Sequence, residues 1–319
     1  MLSINLIKGK EKVLNWVSQS RKSIDWDPFS DFEFLKMVSK NIKLYDLTKK
    51  SKIIARFAIA YKSNGSIDIL DYTPYSTIIL SSDFNNASIA KRDKFKFECS
   101  KALAEYLSLS NKFISIAINP LHKDMRPFLW FNYGKENCFH FDITPSYTAR
   151  YFLDNVNDEI IYQKLRADRK ADLRRSHLLK LQINEHNAYK DIELIYKKTF
   201  SRHDINLSDN QIQRMINIIN YSYDSCEGIL YKALTDDGST QAFSFFLKTE
   251  KSAFYLIGGS TDIGRKLGAL TFLVYNFLLN CNSNKIKFLD FVGANSPNRS
   301  DFKQSFGATI IPYYKVSKK

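Results

Sequence analysis

The chain has 319 residues, enough for one large core or for two domains of roughly 150 residues each. Its composition is 44% hydrophobic and 14% aromatic, which argues against a disordered protein. Lys and Arg outnumber Asp and Glu by 47 to 33, and the resulting net charge of +14 fits nucleic acid, an anionic membrane face or phosphorylated ligands, as well as a generally lysine-rich proteome.

The cysteines and the N-terminus exclude several classes of protein. The four cysteines, Cys99, Cys138, Cys226 and Cys281, form no CxxC pair, so neither a disulfide framework nor a metal site is expected. The N-terminal stretch MLSINLIKGKEKVLNW carries charges inside its only apolar run, which argues against a signal peptide. No window approaches the roughly 20 uncharged apolar residues of a membrane span. We therefore expect a cytoplasmic protein without a transmembrane segment.

The N-terminal half predicts helices and strands in a mixed order. The spacing of its apolar residues predicts two helices, four strands, a long helix, a strand, a short helix and a strand. The predicted ranges are, in chain order, 8–20, 30–40, 42–48, 53–61, 66–71, 76–81, 90–109, 112–118, 123–131 and 137–143.

A basic segment, 164–180 (KLRADRKADLRRSHLLK), joins the two halves. Arg174 and Arg175 in this segment are candidates for binding phosphates of an acceptor. The acidic residues Asp168 and Asp172 at helical spacing favour a different interpretation, in which the segment is a solvated helix face.

The C-terminal half gives a clearer pattern. It predicts a strand, two helices, a three-strand meander, a helix that is apolar on nearly all sides, a strand, a short helix and a strand. The predicted ranges are 178–184, 188–200, 208–220, 229–234, 241–249, 252–259, 269–281, 286–293, 299–306 and 308–316. Ser208, with Gln211 three residues later, predicts a capping box. Because the two halves share much of their element order, we expect an internal structural duplication.

The stretch GGSTDIGRKLGAL (258–270) holds four of the eleven glycines and precedes the apolar helix. A helix N-terminus leaves backbone N–H groups unpaired, glycines let a phosphate approach them, and Arg265 can donate two hydrogen bonds. The spacing matches neither a Walker A motif nor a GxGxxG fingerprint. A phosphate site is therefore one interpretation, and a loop that needs positive φ and close packing is the other.

An R-x-x-G loop between the fourth strand and the following helix resembles the GNAT acyltransferase fold. More specifically, GGSTDIGRKLGA, LDFVGAN and DFKQSFGA, in this order, resemble the C-terminal signature of the FemABX-type double-GNAT transferases. The resemblance covers 160–316 firmly and is softer over 50–150, where RPFLWFNYG carries it. It implies an α+β fold of two GNAT-like domains, 1–160 and 161–319, each a mixed central sheet flanked by helices.

The resemblance also implies an activity. FemABX members include aminoacyl-tRNA-dependent enzymes that add amino acids to peptidoglycan precursors, and other relatives are thought to acylate amines from acyl-CoA. We expect an N-acyltransferase that uses acetyl-CoA or another acyl-CoA, with an acceptor such as a nucleotide-linked amino sugar or another cell-envelope precursor. An aminoacyl-tRNA donor is the close alternative. A basic nucleic-acid-binding protein and a degenerate scaffold with the same fold are further alternatives.

The resemblance assigns roles to individual residues. Lys303, in the FK motif beside Phe302, would stabilise negative charge at the reacting centre. Asp290, in the otherwise apolar run IKFLDFVG, is either a catalytic base or a buried group that holds the following turn. Tyr255 is either a polar group in the substrate cleft or part of the core. The donor would be bound by the following residues: Leu256, Ile257, Gly258, Gly259, Arg265, Lys266, Gly268 and Ala269.

Overall fold

A computed structural model describes residues 2–184, 189–202, 204–221 and 226–318. The chain separates into two compact units. Unit 1 consists of Met1–Ser146 with Pro312–Lys319, and unit 2 consists of Tyr147–Ile311. The boundary that the sequence predicts between residues 160 and 161 falls inside a helix of unit 2, Asp158–Lys164.

Unit 1 combines strands with four α-helices within the described residues. Its strands are β1 (Ser3–Leu6), β2 (Ile42–Lys49), β3 (Lys52–Ala60), β4 (Ile79–Leu80) and β5 (Ile114–Ile118). Its helices are α1 (Lys10–Arg21), α2 (Phe32–Val38), α3 (Ile89–Ser108) and α4 (Arg126–Leu129). Strands β1 to β4 form an antiparallel sheet in that order. The core of this unit packs α3 against β2, β3 and β5.

Unit 2 holds a mixed sheet in the order β6-β11-β10-β9-β8-β7. Its strands are β6 (Asp142–Phe152), β7 (Lys180–Ile183), β8 (Glu227–Leu234), β9 (Thr240–Lys248), β10 (Ser252–Ser260), β11 (Phe288–Asp290) and β12 (Thr309–Lys318), of which β6 and β12 also carry residues of unit 1. Its helices are α5 (Asp158–Lys164), α6 (Ala167–Arg175), α7 (Tyr189–Ser201), α8 (Asp209–Ile219), α9 (Asp262–Lys266), α10 (Ala269–Ser283) and α11 (Pro297–Gln304).

Helix α10 is the centre of the unit 2 core, as its uniformly apolar sequence predicts. Phe277 of α10 stacks on Phe246 of β9 with ring centroids 3.6 Å apart and planes 7° apart. Helix α8 begins at the predicted capping box, in which Ser208 and Gln211 bond each other's backbone. Both predictions are confirmed. For α7, the first predicted residue, Ala188, lies outside the described residues.

Two strand predictions in the N-terminal half are wrong. Over 66–71 the chain makes only isolated bridges at Ile67, because Gly65 and Pro74 flank a run that turns away from the sheet. The strand predicted over 137–143 begins instead at Asp142 and continues to Phe152. Pro145 and the polar residues around it interrupt the alternation of apolar and polar residues that predicts a strand.

Candidate active site

The sheet of unit 2 opens between its two parallel strands, β10 and β11. Their pairing covers three residues on each strand and ends at Phe254 and Asp290. Beyond this point β10 stays paired with β9 as far as Ser260. The chain after β11 follows β6 instead, because the Phe291 N–H donates to the Ala149 carbonyl at 2.8 Å. The two strands therefore diverge, and within the described residues no strand pairs with this edge of β10 beyond Phe254.

A β-bulge lies in β10 at the start of this divergence. Tyr255 pairs with Phe246 and Ile257 pairs with Phe245, so that Leu256 is the extra residue. A bulge of this kind turns the strand and re-aims its backbone groups. The predicted donor-binding residues Leu256 and Ile257 thus lie where β10 leaves β11.

The glycines at the end of β10 make room for neighbouring side chains. A Cβ on Gly258 would lie 2.1 Å from the hydroxyl oxygen of Tyr255. A Cβ on Gly259 would lie 2.9 Å from Oγ1 of Thr199, on α7. Neither glycine has a positive φ, so close packing alone accounts for both.

Gly268 is required by both backbone conformation and packing. It is the residue before α10 and has φ 70°, in the left-handed region. A Cβ there would lie 2.6 Å from Cβ and 2.7 Å from the carbonyl oxygen of Asp172. Helix α6 therefore packs directly on the loop that precedes α10. These contacts agree with the interpretation of the loop as one that needs positive φ and close packing.

The first turn of α10 already has a carboxylate beside it. Oγ1 of Thr271 donates to Oδ2 of Asp172 at 2.7 Å, and Arg169 contacts both groups, at 2.9 Å and 2.8 Å respectively. Asp172 is only 7% exposed. Negative charge is favourable at a helix N-terminus, so Asp172 occupies a position that an anionic ligand would otherwise favour.

The cationic side chains of the loop lie on its outer surface. Arg265 and Lys266 are exposed, and the Arg265 guanidinium is 3.6 Å from the carboxylate of Asp262. Arg202 pairs with the same carboxylate at 3.0 Å. The Arg175 Nε–H donates to the Lys266 carbonyl at 2.9 Å, which ties α6 to α9. Arg202 and Arg265 therefore share one exposed carboxylate, that of Asp262.

Lys303 is a buried amine close to the point where β10 and β11 diverge. Its ammonium donates to the carbonyl oxygens of Val292 and Gly293, the second at 2.5 Å. Both acceptor residues have positive φ, 50° and 67°, which is unusual for a β-branched valine and marks a constrained turn. Burial lowers the pKa of Lys303 to about 8, an effect that the nearby Asp290 partly opposes.

Asp290 holds this turn through a set of buried contacts. Its Oδ1 accepts from the Val292 N–H at 2.9 Å and from the hydroxyl of Thr148, and its Oδ2 accepts from Arg150 at 2.8 Å. The residue is fully buried. An arginine, a hydroxyl and a backbone N–H therefore hold both of its oxygens in place. The contacts thus favour the structural role that the sequence left open beside catalysis.

The comparisons with known proteins concern the fold. The sequence matches no protein-family model and no curated protein. Among solved structures, FemX superposes with a TM-score of 0.65 at 11% identity and covers 97% of this chain and 96% of its own. A tandem GNAT protein from the clavulanic acid biosynthesis pathway gives 0.52 at 10% identity, over 100% and 98%. The C-terminal domain of a putative lysylphosphatidylglycerol synthetase from Agrobacterium fabrum gives 0.55 at 11%, over 96% and 93%.

The chain has a FemABX-type double-GNAT fold. It is an α+β fold with mixed sheets flanked by helices, as the sequence predicts. At this level of identity the likeness concerns the fold alone.

Within the FemABX-type fold, the predicted site residues fall into two groups. Lys303 and Asp290 are brought together around the turn at Val292 and Gly293. Arg175, Lys266 and the glycine loop form the second group. Ala269 is the first residue of α10 and is fully buried.

Three further predicted residues have the following surroundings. Arg174 is exposed on α6 and makes no ion pair within the described part of the chain. Tyr255 packs against Phe246 and Phe291, and burial raises the pKa of its hydroxyl to about 12. Phe302 packs against Phe306 with centroids 5.1 Å apart.

The sequence did not identify the residues that support the site. Arg150 and Thr148 precede Asp290 by 140 and 142 positions, and Asp172 precedes Thr271 by 99. No local motif connects residues so far apart. Only the pairing of β6 with β11 and the packing of α6 on α10 bring them together.

No metal or membrane element is found in the ranges that the structure describes. In these ranges no three His, Cys, Asp or Glu side chains are grouped as a metal ion would need. The helices there are too short or too polar to cross a membrane.

Proposed function

We propose that the protein is an N-acyltransferase that moves an acyl group, in the first instance acetyl, from acyl-CoA to an amine. The divergence of β10 and β11 beside Lys303 carries this proposal. The arm of the donor would enter the gap and hydrogen-bond the free edge of β10 near Leu256 and Ile257. Its phosphates would then meet the exposed cations Arg265 and Lys266.

The chemistry requires one new bond and one broken bond. The acceptor nitrogen attacks the thioester carbon, the resulting tetrahedral intermediate collapses, and the CoA thiolate leaves and takes up the proton that the amine releases. The oxyanion of the intermediate needs a preorganised donor. Lys303 fits this role because two of its N–H groups are held by carbonyl oxygens, so its position is set before substrate arrives.

The acceptor is proposed from the FemABX resemblance and is an amine on a cell-envelope precursor, such as a nucleotide-linked amino sugar. Arg174 supports an anionic acceptor, since it is exposed and makes no ion pair within the described residues. Because these substrates are cytoplasmic, we propose that the protein acts there.

Aminoacyl-tRNA is the second candidate donor. Two observations favour it: the net charge of +14 and the superposition with FemX over 97% of the chain. The position of Asp172 beside the first turn of α10 also disfavours a small diphosphate at that helix end.

Titration of the protein with acetyl-CoA and with charged tRNA, by calorimetry at low and high salt, tests the proposal. Acetyl-CoA should bind with a modest salt dependence, whereas tRNA binding should weaken steeply as salt rises. Saturable binding of neither donor would contradict both forms of the proposal.

The variant Lys303→Met tests the catalytic step. We expect turnover to fall by about 10²- to 10³-fold with donor affinity nearly unchanged, since the lost interaction forms in the transition state. Lys285→Met, which removes an exposed lysine of the same unit, is the matched control and should retain wild-type turnover. Equal turnover in the two variants would exclude the role of Lys303.

A further inference from the structure

Two isolated parallel bridges to the edge of β5 in unit 1 flank one position with which no described residue pairs. Ile67 bridges Ile114, with its N–H donating to the Phe113 carbonyl at 3.0 Å and its carbonyl accepting from Ser115 at 2.8 Å. Ser76 bridges Ile118 in the same way, through the Ala117 carbonyl at 2.6 Å and the Asn119 N–H at 2.9 Å. Among the residues that the structure describes, none is paired opposite Ile116, between these two bridges.

The gap arises from a mismatch in chain length. From Ile67 to Ser76 the chain advances nine positions, while β5 advances only four from Ile114 to Ile118. The extra residues, 68–75, leave the sheet and return to it. A parallel partner in register would have placed one residue opposite Ile116.

In the part of the chain that the structure describes, two backbone groups of β5 consequently point into the gap without a partner. In a strand, the N–H and C=O of one residue point to the same side. The Ser115 N–H and the Ala117 carbonyl both bond the segment 67–76, so the Ser115 carbonyl and the Ala117 N–H face the same side. Within the described ranges no group donates to the first or accepts from the second on that side, and Ala117 is only 2% exposed.

A cavity lies at this position opposite Ile116. It is lined by the β5 residues 115–118, by 57–60 of β3, and by residues 67–70, 73 and 75–78 of the segment between the two bridges and just after it. Pairing of β3 with β4 ends at Arg56, so the edge of β3 over 57–60 also faces the cavity. Leu35 of α2 and Leu103 of α3 complete a mostly apolar wall.

We propose that this cavity is a second ligand site, which takes one residue of an extended peptide-like chain. The Ser115 carbonyl can accept from the N–H, and the Ala117 N–H can donate to the C=O, of one and the same peptide residue. β5 bonds Ile67 and Ser76 in this way on either side of the gap. The apolar wall selects a small or aliphatic side chain at that residue. This site belongs to unit 1 and does not depend on the function proposed for unit 2.

Amide NMR of the full chain labelled with ¹⁵N-alanine tests the site, with N-acetyl-trialanine methylamide as the probe. The Ala117 signal, assigned through its loss in Ala117→Gly, should shift on titration, and its hydrogen exchange should slow by roughly tenfold or more at saturation. Ala55 is the internal control, because it lies in the regular ladder of β3 with β4 and should not change. An ester analogue that lacks the central N–H should bind roughly tenfold more weakly, as expected for one net hydrogen bond.

A pair of variants locates the binding. Ile69→Trp fills the cavity from the segment that leaves the sheet and should weaken binding by at least about tenfold, whereas Ile89→Trp, at a position 78% exposed on α3, should leave it unchanged. An unshifted Ala117 amide at saturating peptide, or equal binding by the two variants, would overturn the inference. Peptide binding that shifts only amides of β10 would overturn it as well, while leaving the proposed function intact.

Discussion

Replacement of Lys303 by Met should change how the free energy of unfolding depends on pH. Burial lowers the pKa of this lysine from 10.5 to about 8 in the folded chain. Between these two values the folded chain binds fewer protons than the unfolded chain. The wild-type free energy of unfolding therefore gains a contribution that rises with pH in this window, because stability increases wherever the unfolded state holds more protons.

The size of the effect follows from the two pKa values. At 1.36 kcal/mol for each tenfold change in proton affinity, the full window corresponds to about 3 kcal/mol, of which about 2 kcal/mol falls between pH 7 and pH 10. Lys303 is 7% exposed, so solvent does little to screen this difference. The methionine variant lacks the titrating group. Its free energy of unfolding should therefore fall behind that of the wild type by about 2 kcal/mol between pH 7 and pH 10.

Urea unfolding at several pH values measures this difference. Far-UV circular dichroism is the appropriate probe, because all three tryptophans, at positions 16, 26 and 130, lie in unit 1. Effects of the buried tyrosines cancel, since wild type and variant share them. Lys285→Met provides the baseline for an exposed lysine. Parallel curves for wild type and Lys303→Met would refute the buried position of the amine.

Three further outcomes are expected. Turnover should decline as pH rises through about 8, since the charged form of Lys303 is the one that stabilises an oxyanion, and a flat profile measured with saturating donor would contradict that role. Asp290→Asn removes the carboxylate that pairs with the buried Arg150 and should cost about 3 kcal/mol of unfolding free energy, whereas Asp301→Asn, at an exposed ion pair, should cost at most about 1 kcal/mol. Gly268→Ala and Gly293→Ala share a backbone cost of roughly 1–2 kcal/mol, because both glycines have positive φ. Only a side chain at residue 268 would also collide with Asp172, so the thermal midpoint of Gly268→Ala should fall further than that of Gly293→Ala. Equal decreases in the two midpoints would argue against that contact.

The sequence predicts unit 2 well because its signals there are local. The capping box at Ser208 and the apolar length of α10 depend on residues a few positions apart, and both are found as expected. The predicted strand 286–293 is shorter in the structure, Phe288–Asp290, because Val292 and Gly293 take positive φ. The local sequence FVGAN does not predict that turn, because the turn depends on hydrogen bonds with Asp290 and Lys303.

The candidate site was predictable only in part, because its motifs are local but the contacts around them are not. Lys303 and the glycine loop carry motifs, so a resemblance finds them. The surroundings that decide their chemistry come from strand pairing and helix packing across about a hundred positions or more, as with Arg150 and Asp290. A carboxylate in an apolar strand is consistent with a base and with a buried ion pair alike, and only the position of its partner separates the two.

The position of Asp172 bears on how a donor phosphate can be held. A helix N-terminus binds anions through its free N–H groups and its dipole, but Asp172 lies against the first turn of α10 and bonds Thr271. A diphosphate at the same place would have to displace this carboxylate, which Arg169 and Arg175 hold by ion pairs. We infer that phosphates of the donor contact the side chains of Arg265 and Lys266 on the outer surface of the loop rather than the helix end. In the proposed acyl-CoA complex such exposed contacts are individually weak, whereas a long polyanion such as tRNA would add further phosphate contacts of its own.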